Sequence, residues 1–212
     1  MDRIAMDCET APLPDAAEMF DESEVKVGNL KDENKIKAKI EQARQDFARD
    51  AALHWTTGQV TCICMANDDI SIMISRVQPD IETEQDILEE FWRQWGFFQQ
   101  LITYNGYAFD LQYIIMRSLH HGLACPALRA RGNKYIRSID TDRHIDLINL
   151  FDSCGKWISM EKACRCMLGC GKIGSGVDAI ELFESGHHEA LTAYCLRDAE
   201  LTWQLWKKIG GE

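Results

Sequence analysis

The chain contains no apolar run that approaches the roughly 20 residues needed to span a bilayer as a helix. It also lacks a positively charged leader, because its N-terminus is acidic and continues directly into an apolar stretch, so we expect no signal peptide. Its nine cysteines do not follow the regular spacing of a disulfide framework. These absences predict a cytoplasmic protein with reduced thiols and no membrane partner.

The chain is also short of positive charge, since 23 lysines and arginines face 34 aspartates and glutamates and leave a net charge of -11. This balance argues against nonspecific binding of nucleic acid, which usually needs a basic surface. Basic residues are nevertheless concentrated between Arg117 and Arg143. Carboxylates that gather around metal ions also lose much of their negative charge when the ions bind. The charge balance therefore weakens the hypothesis of a nucleic-acid substrate but does not exclude it.

Two further motifs are incomplete. The glycine-rich segment from Gly169 to Gly176 lacks the Gly-Lys-Ser/Thr ending of a P-loop. Cys154, Cys164, Cys166 and Cys170 lack the two-residue gap that is typical of zinc sites, and Cys164 and Cys166 would face different sides of a helix. We therefore disfavour a small zinc-binding regulatory protein, a reading that metal analysis can test.

The composition, at 46% hydrophobic and 27% charged residues over 212 positions, is that of one globular domain spanning residues 1–212. Apolar patterning predicts an α/β fold. We expect the first strand to be broken at Thr10 to Pro14. Strands are predicted at 2–8, 59–66, 70–75, 101–104 and 144–147, and helices at 34–53, 84–98, about 110–121, 159–169, 177–184 and 187–208. The strands at 59–66 and 70–75 are predicted to form a hairpin, and Thr83 is predicted to cap the helix at 84–98.

The segment at about 15–53 is predicted to be a helical insertion in this domain. It is polar and acidic at first and then becomes helical, with Ile36, Ile40, Ala43 and Phe47 on one face. Such a helix packs on the core or forms a flap over a substrate groove, and we favour the core.

Asp7 and Glu9 follow the first apolar run, and residues two apart on a strand point to the same side. Two carboxylates aimed at one point repel each other unless a cation lies between them. Hard ions such as Mg²⁺ take oxygen ligands of this kind. An Asp-x-Glu pair alone is more often a solvated strand end, so the hypothesis depends on further carboxylates.

Two more candidate carboxylates are found in suitable settings. Asp110 opens a helix directly after a strand, near the strand end where sites of α/β sheets gather, although an acid in a first helical turn also simply favours the helix dipole. Asp198 lies four residues after Tyr194, so both share one face of the last helix. Leu191, Leu201 and Leu205 fall close to that face, which predicts that it packs inward.

In this order, three motifs resemble the DEDD superfamily of 3′-5′ exonucleases. They are Asp7-Cys8-Glu9-Thr10, Asn105-Gly106-Tyr107-Ala108-Phe109-Asp110 and Tyr194-Cys195-Leu196-Arg197-Asp198. Tyr194 marks the tyrosine subtype, because the histidine subtype would place His at position 193. The chain is most similar to the predicted 3′-5′ exonucleases related to the exonuclease domain of B-family DNA polymerases. Besides the three motifs, the segments that carry this resemblance are residues 60–65, 144–147 and 171–174.

The resemblance implies an RNase H-like fold, with a central mixed sheet flanked by helices, and hydrolysis that uses two Mg²⁺ or Mn²⁺ ions. It implies that Asp7 bridges both ions, that Glu9 and Asp198 complete the ion that activates water, and that Asp110 holds the other ion through water. Tyr194 would orient the attacking water, because a phenol of pKa about 10 is a poor base at neutral pH.

The same resemblance implies that nucleoside 5′-monophosphates are released from 3′ ends, with single-stranded DNA favoured over RNA. Thr10, Asn105, Phe109 and Arg137 are the residues expected to bind the substrate, although Phe109 also fits a core position. Proofreading would require a separate polymerase or other replication or repair partner. The alternatives are a non-catalytic RNase H-like module that binds nucleic acid or protein, and an RNA exonuclease.

Overall fold

The computed structural model describes residues 2–130, 137–139, 142–151, 156–171 and 176–211. The chain forms two compact units, one of residues 1–9 with 60–212 and one of residues 10–59. The strands are β1 Arg3–Pro12, β2 Gly58–Ala66, β3 Ser71–Ser75, β4 Gln100–Thr103, β5 Leu128–Ala130, β6 Arg137–Ile139 and β7 His144–Asp146. The helices are α1 Glu33–Asp50, α2 Glu84–Trp95, α3 Asp110–His120, α4 Ile148–Phe151, α5 Met160–Leu168, α6 Gly176–Glu184 and α7 His188–Lys208.

Five strands form a mixed sheet in the order β3-β2-β1-β4-β7. The pairs β1–β4 and β4–β7 are parallel, whereas β2 and β3 form the predicted antiparallel hairpin. The α/β prediction is therefore confirmed. Because β4 and β7 run in the same direction, their carboxyl ends meet at one edge of the sheet, where the chain turns towards α3 and α4.

The alternation of side chains along β1 divides the core into layers on the two faces of the sheet. Ile4, Met6 and Cys8 belong to a cluster that includes residues of α2 and α3. Ala5 belongs to a second cluster, with residues of α5 and α7. Asp7 is two residues after Ala5, so β1 directs it to the face that α7 covers.

The helix starts follow from local capping. Thr83 accepts a hydrogen bond from the Asp86 amide, and the Asp86 side chain accepts one from the Thr83 amide, which closes a capping box at α2. Ser159 caps α5 by accepting from the Lys162 amide. Cys164 of α5 is buried and Cys166 is exposed, so the two thiols face different sides as predicted.

Two expectations are wrong, and one pair of strands was not expected. β1 does not break at Thr10 but continues to Pro12, and this proline, which has no N–H to donate to the ladder, is its last residue. None of the residues of α1 is buried, so α1 is not a core helix, and its apolar face is only half-buried. The antiparallel pair β5–β6 was not expected, because 123–142 shows no clear alternation.

The unit of residues 10–59 has contacts of its own. The rings of Phe20 and Phe47 meet edge to face at 5.5 Å between centroids. Arg44 forms an ion pair with Glu22 and lies over the Phe20 ring at 4.7 Å. These contacts hold the polar segment before α1 against the helix.

In the described part of the chain, every helix is too short or too polar to cross a membrane.

A buried ion pair joins α2, α3 and β2. Glu84 accepts from Arg117 Nη2 at 2.6 Å, from the Val60 amide at 2.7 Å and from His121 Nε2 at 2.8 Å. The side chains of Arg117 and Glu84 are 4% and 6% exposed. Burial alone would raise the pKa of Glu84, but hydrogen bonds from Arg117 and His121 outweigh it, so the pKa is lowered.

We predict that Arg117→Met lowers the free energy of unfolding by about 3–5 kcal/mol, because it leaves the Glu84 charge buried without its partner. The matched control is Arg93→Met, whose guanidinium is 62% exposed and pairs with Glu90 on the surface of α2. That change should cost no more than about 1 kcal/mol. Urea denaturation of both variants measures the difference, and equally small losses would contradict it.

Candidate active site

The first part of the site is the pair Asp7 and Glu9 on β1. The ligand atoms of Asp7, Glu9 and Cys195 all lie within 4.8 Å of one another. Cys195 comes from α7, and its thiol donates a hydrogen bond to the backbone oxygen of Asp7 at 3.3 Å. α7 therefore packs against β1 at the position of the two carboxylates.

The second part is the α7 face that carries Cys195. Asp198 lies three residues further along, one helical turn from the thiol that contacts Asp7. Its side chain is 1% exposed, whereas Tyr194 is half-buried. Leu191 and Leu201 are also buried, so the prediction that this face packs inward is confirmed.

The third part is Asp110, the first residue of α3. Its Oδ1 accepts a hydrogen bond from the Cys8 amide at 3.2 Å, and Cys8 lies between Asp7 and Glu9. Burial raises the pKa of Asp110 to about 6, hydrogen bonds from Cys8 oppose this rise, and the nearby Asp146 charge adds to it. Burial, followed by the charges of Asp110, Asp7 and Glu9, also raises the pKa of the Cys8 thiol.

The residues expected to bind the substrate are placed as follows. Asn105 adopts a left-handed backbone with φ 71°, which asparagine tolerates, and it lies in the turn between β4 and α3. Phe109 is half-buried and packs on Tyr113 at 5.6 Å between ring centroids, so part of its surface belongs to the core. Thr10 is buried directly after Glu9, and it begins the unit of residues 10–59. The side chain of Arg137 lies outside the described residues, as do Cys154 and residues 131–136.

These residues fit a divalent cation. β1, α3 and α7 contribute the four carboxylates Asp7, Glu9, Asp110 and Asp198, and oxygen ligands are those that Mg²⁺ and Mn²⁺ prefer. A carboxylate that is buried as fully as Asp198 or Asp110 is unfavourable when ionised unless positive charge or hydrogen bonds compensate it. A bound cation would supply that compensation for the whole group.

Two residues near the site were not singled out from the sequence. Cys195 lies three residues before Asp198, a spacing that places both on one helix face. Asp146 lies at the end of a strand beside β4, a position at which functional side chains of α/β sheets collect. The spacing of Cys195 and the strand-end position of Asp146 can both be read from the sequence, but neither feature distinguishes a site residue from a core residue.

A model of a protein family described as a predicted 3′-5′ exonuclease related to the exonuclease domain of PolB matches residues 46–210. The chain belongs to this exonuclease family. The matched segment contains Asp110, Tyr194 and Asp198, and it begins after Asp7 and Glu9. Asp7 and Glu9 therefore lie outside the matched segment, and β1 connects them to the rest of the candidate site.

The exonuclease fold is also found in a solved structure, that of the family B DNA polymerase from the hyperthermophilic archaeon Pyrobaculum calidifontis. The two are 13% identical with a TM-score of 0.63 over 99% of this chain. The aligned region is 24% of the polymerase, so this chain spans about a quarter of that protein's length. The likeness confirms the RNase H-like fold. Curated protein sequences contain no significant match to the chain.

We predict that Asp110→Asn stabilises the metal-free protein at neutral pH. The folded-state pKa of about 6 exceeds the ordinary value of 3.8. The native state therefore holds this proton more tightly, and stability falls as pH rises from about 4 to about 6. At about 1.4 kcal/mol per pKa unit, the gain at pH 7.5 is on the order of 2–3 kcal/mol and vanishes near pH 4.

Urea denaturation in EDTA at several pH values measures this gain. Asp69→Asn, at an exposed acid between β2 and β3, is the control and should leave stability unchanged. An Asp110→Asn protein that is no more stable than the wild type at pH 7.5 would show that burial does not raise the pKa of the Asp110 carboxyl group.

Proposed function

We propose that this chain is a metal-dependent 3′-5′ exonuclease that hydrolyses the terminal phosphodiester bond of nucleic acid, preferably DNA, and releases nucleoside 5′-monophosphates. The observation that carries the proposal is the junction of three elements at β1. Asp110 of α3 accepts from the Cys8 amide between Asp7 and Glu9, and Cys195 of α7 donates to the Asp7 backbone. Membership of the exonuclease family supports the same conclusion.

In this proposal, four carboxylates hold two divalent cations, Mg²⁺ or Mn²⁺. Asp7 would be a ligand to both ions, Glu9 and Asp198 would complete one of them, and Asp110 would hold the other. Once bound, the ions would supply charge stabilisation for the attacking and leaving oxygens. The protein holds the carboxylates in place before any ion arrives, because two of them are fixed to β1 and two to the ends or faces of packed helices.

We propose that the Tyr194 hydroxyl forms a hydrogen bond with the attacking water. Its ring is half-buried one turn before Asp198, so its hydroxyl lies on the face that carries this carboxylate. A phenol with an ordinary pKa of about 10 keeps its proton at neutral pH, so it orients the water rather than removing its proton. With this role for Tyr194, the proposed enzyme would belong to the tyrosine subtype of the DEDD superfamily.

On the substrate side, we propose that Thr10, Asn105, Phe109 and Arg137 contact the terminal nucleotides of a single strand. A polymerase or another replication or repair protein would supply 3′ ends. The unit of residues 10–59 is proposed to be a helical insertion in one exonuclease domain. A cytoplasmic location is proposed from the number and irregular spacing of the nine cysteines.

The direct test is a gel assay on a single-stranded DNA and its RNA counterpart, each labelled at the 5′ end, with Mg²⁺, Mn²⁺ or EDTA. We expect a ladder that shortens from the 3′ end of DNA, requires the metal and disappears with Asp198→Asn. Stronger degradation of the RNA strand would change the substrate class. Cleavage of neither strand, or cleavage in EDTA, would contradict the proposal.

A second prediction separates the roles of two side chains. Asp7→Asn should abolish cleavage, because it removes the ligand shared by both ions. Tyr194→Phe should keep the aromatic packing and lower kcat by about 10-fold or more, because the attacking water loses the hydrogen bond that orients it. Single-turnover assays measure both variants. A Tyr194→Phe enzyme with wild-type kcat would show that the hydroxyl does not contact the reacting water.

A further inference from the structure

Asp146 is a carboxylate near the site for which the proposed mechanism has no role. It is the last residue of β7, and the register of the parallel pair places it beside Thr103, the last residue of β4. After Thr103 the chain passes through residues 104–109, here called the entry loop, and reaches Asp110 at the start of α3. Asp146 therefore lies next to the point at which the chain leaves the sheet to form that carboxylate.

Both oxygens of Asp146 bind the entry loop. Oδ1 accepts from the Asn105 amide at 2.7 Å, and Oδ2 accepts from the Tyr107 amide at 2.8 Å. Oδ1 also accepts from the Ile148 amide at 3.2 Å, which ties the start of α4 to the same side chain. A charged carboxylate that accepts several backbone N–H groups forms stronger hydrogen bonds than a neutral acceptor does.

A second set of contacts holds the entry loop from the β4 side. The Gly106 amide donates to Thr103 Oγ1 at 3.2 Å, and this oxygen lies 2.8 Å from His144 Nε2. The Tyr107 ring stacks on the His144 ring, with an interplanar angle of 10°. A Cβ atom at Gly106 would lie 2.4 Å from Thr103 Oγ1, so the backbone approaches β4 more closely than any other residue type allows.

Backbone hydrogen bonds connect the entry loop to the start of α3. The Asn105 oxygen accepts from the Phe109 amide at 3.0 Å, and the Gly106 oxygen accepts from the Leu111 amide at 2.8 Å. These bonds flank Asp110 on both sides along the chain. Asp110 Oδ1 then meets the Cys8 amide at 3.2 Å. A continuous chain of hydrogen bonds thus connects Asp146 to the strand that carries Asp7 and Glu9.

We propose that Asp146 is a positioning residue that fixes the entry loop and thereby sets the place of Asp110 relative to Asp7 and Glu9. This inference rests on the proposed function of the site. Asp146 acts through the loop and not as an additional ion ligand, because each of its oxygens is already directed at backbone N–H groups. Supporting residues of this kind typically change metal affinity or activity by about 10- to 100-fold when they are replaced.

The test compares Asp146→Asn with Asp86→Asn. Asparagine keeps one acceptor oxygen, but it turns an NH₂ group towards a backbone N–H. Asp86 is a matched control, because its carboxylate accepts from the amides of Glu82 and Thr83 at 3.1 and 2.7 Å before α2. It makes the same kind of contact outside the candidate active site.

The main readout is calorimetric titration of the metal-free proteins with Mn²⁺, in the absence of nucleic acid, beside their thermal unfolding. We expect Asp146→Asn to weaken Mn²⁺ binding by about 10- to 100-fold. Asp86→Asn should keep wild-type Mn²⁺ affinity, because its contacts lie outside the candidate active site. Wild-type affinity in a folded Asp146→Asn protein would overturn the inference.

Gly106→Ala provides a second variant, in which Asp146 is intact and the added methyl group pushes the entry loop away from Thr103. It should reproduce the loss of Mn²⁺ affinity, and unchanged affinity would overturn the inference even if Asp146→Asn failed to fold. A wild-type protein that neither binds Mn²⁺ nor degrades DNA would instead overturn the proposed function. The two failures are therefore distinguishable.

Discussion

The hydrogen bond between the Cys8 amide and Asp110 Oδ1 is the contact on which the arrangement of the site depends. Cys8 is a core residue of one face of the sheet, while Asp7 and Glu9 point to the other face. By accepting from the amide between them, Asp110 brings α3 to the middle of the carboxylate pair. Since β4 lies parallel beside β1, the turn that follows β4 delivers Asp110 to this position.

The same arrangement creates a conflict between stability and function. Asp110 and Asp198 are 6% and 1% exposed, and buried carboxylates resist ionisation. The rest of the fold compensates with a large apolar core on both faces of the sheet and with the buried Glu84–Arg117 pair, which joins α2 to α3. Cation binding would relieve the conflict directly, so ion binding and stability should be coupled in this protein.

Much of the fold was accessible from the sequence, because apolar alternation and capping residues act locally. The β2–β3 hairpin, the capped start of α2 at Thr83 and the inward face of α7 followed from such signals. The weak pairing of β5 with β6 and the half-buried face of α1 did not, since they depend on tertiary contacts that leave little periodicity. In the candidate site, Asp7 and Glu9 could be related by spacing alone. The contacts of Cys195 and Asp146 bridge 188 and 41 residues of sequence, and no local pattern reveals them.

The central claim is that carboxylates from β1, α3 and α7 form one divalent-cation site that acts on the 3′ end of a nucleic acid. The most direct measurement is a crystal structure with Mn²⁺ and a short single-stranded DNA, in which anomalous scattering locates the ions. The account predicts manganese in contact with Asp7, Glu9, Asp110 and Asp198, with the 3′-terminal phosphodiester beside it. Manganese bound elsewhere, or a DNA strand held away from these carboxylates, would contradict it.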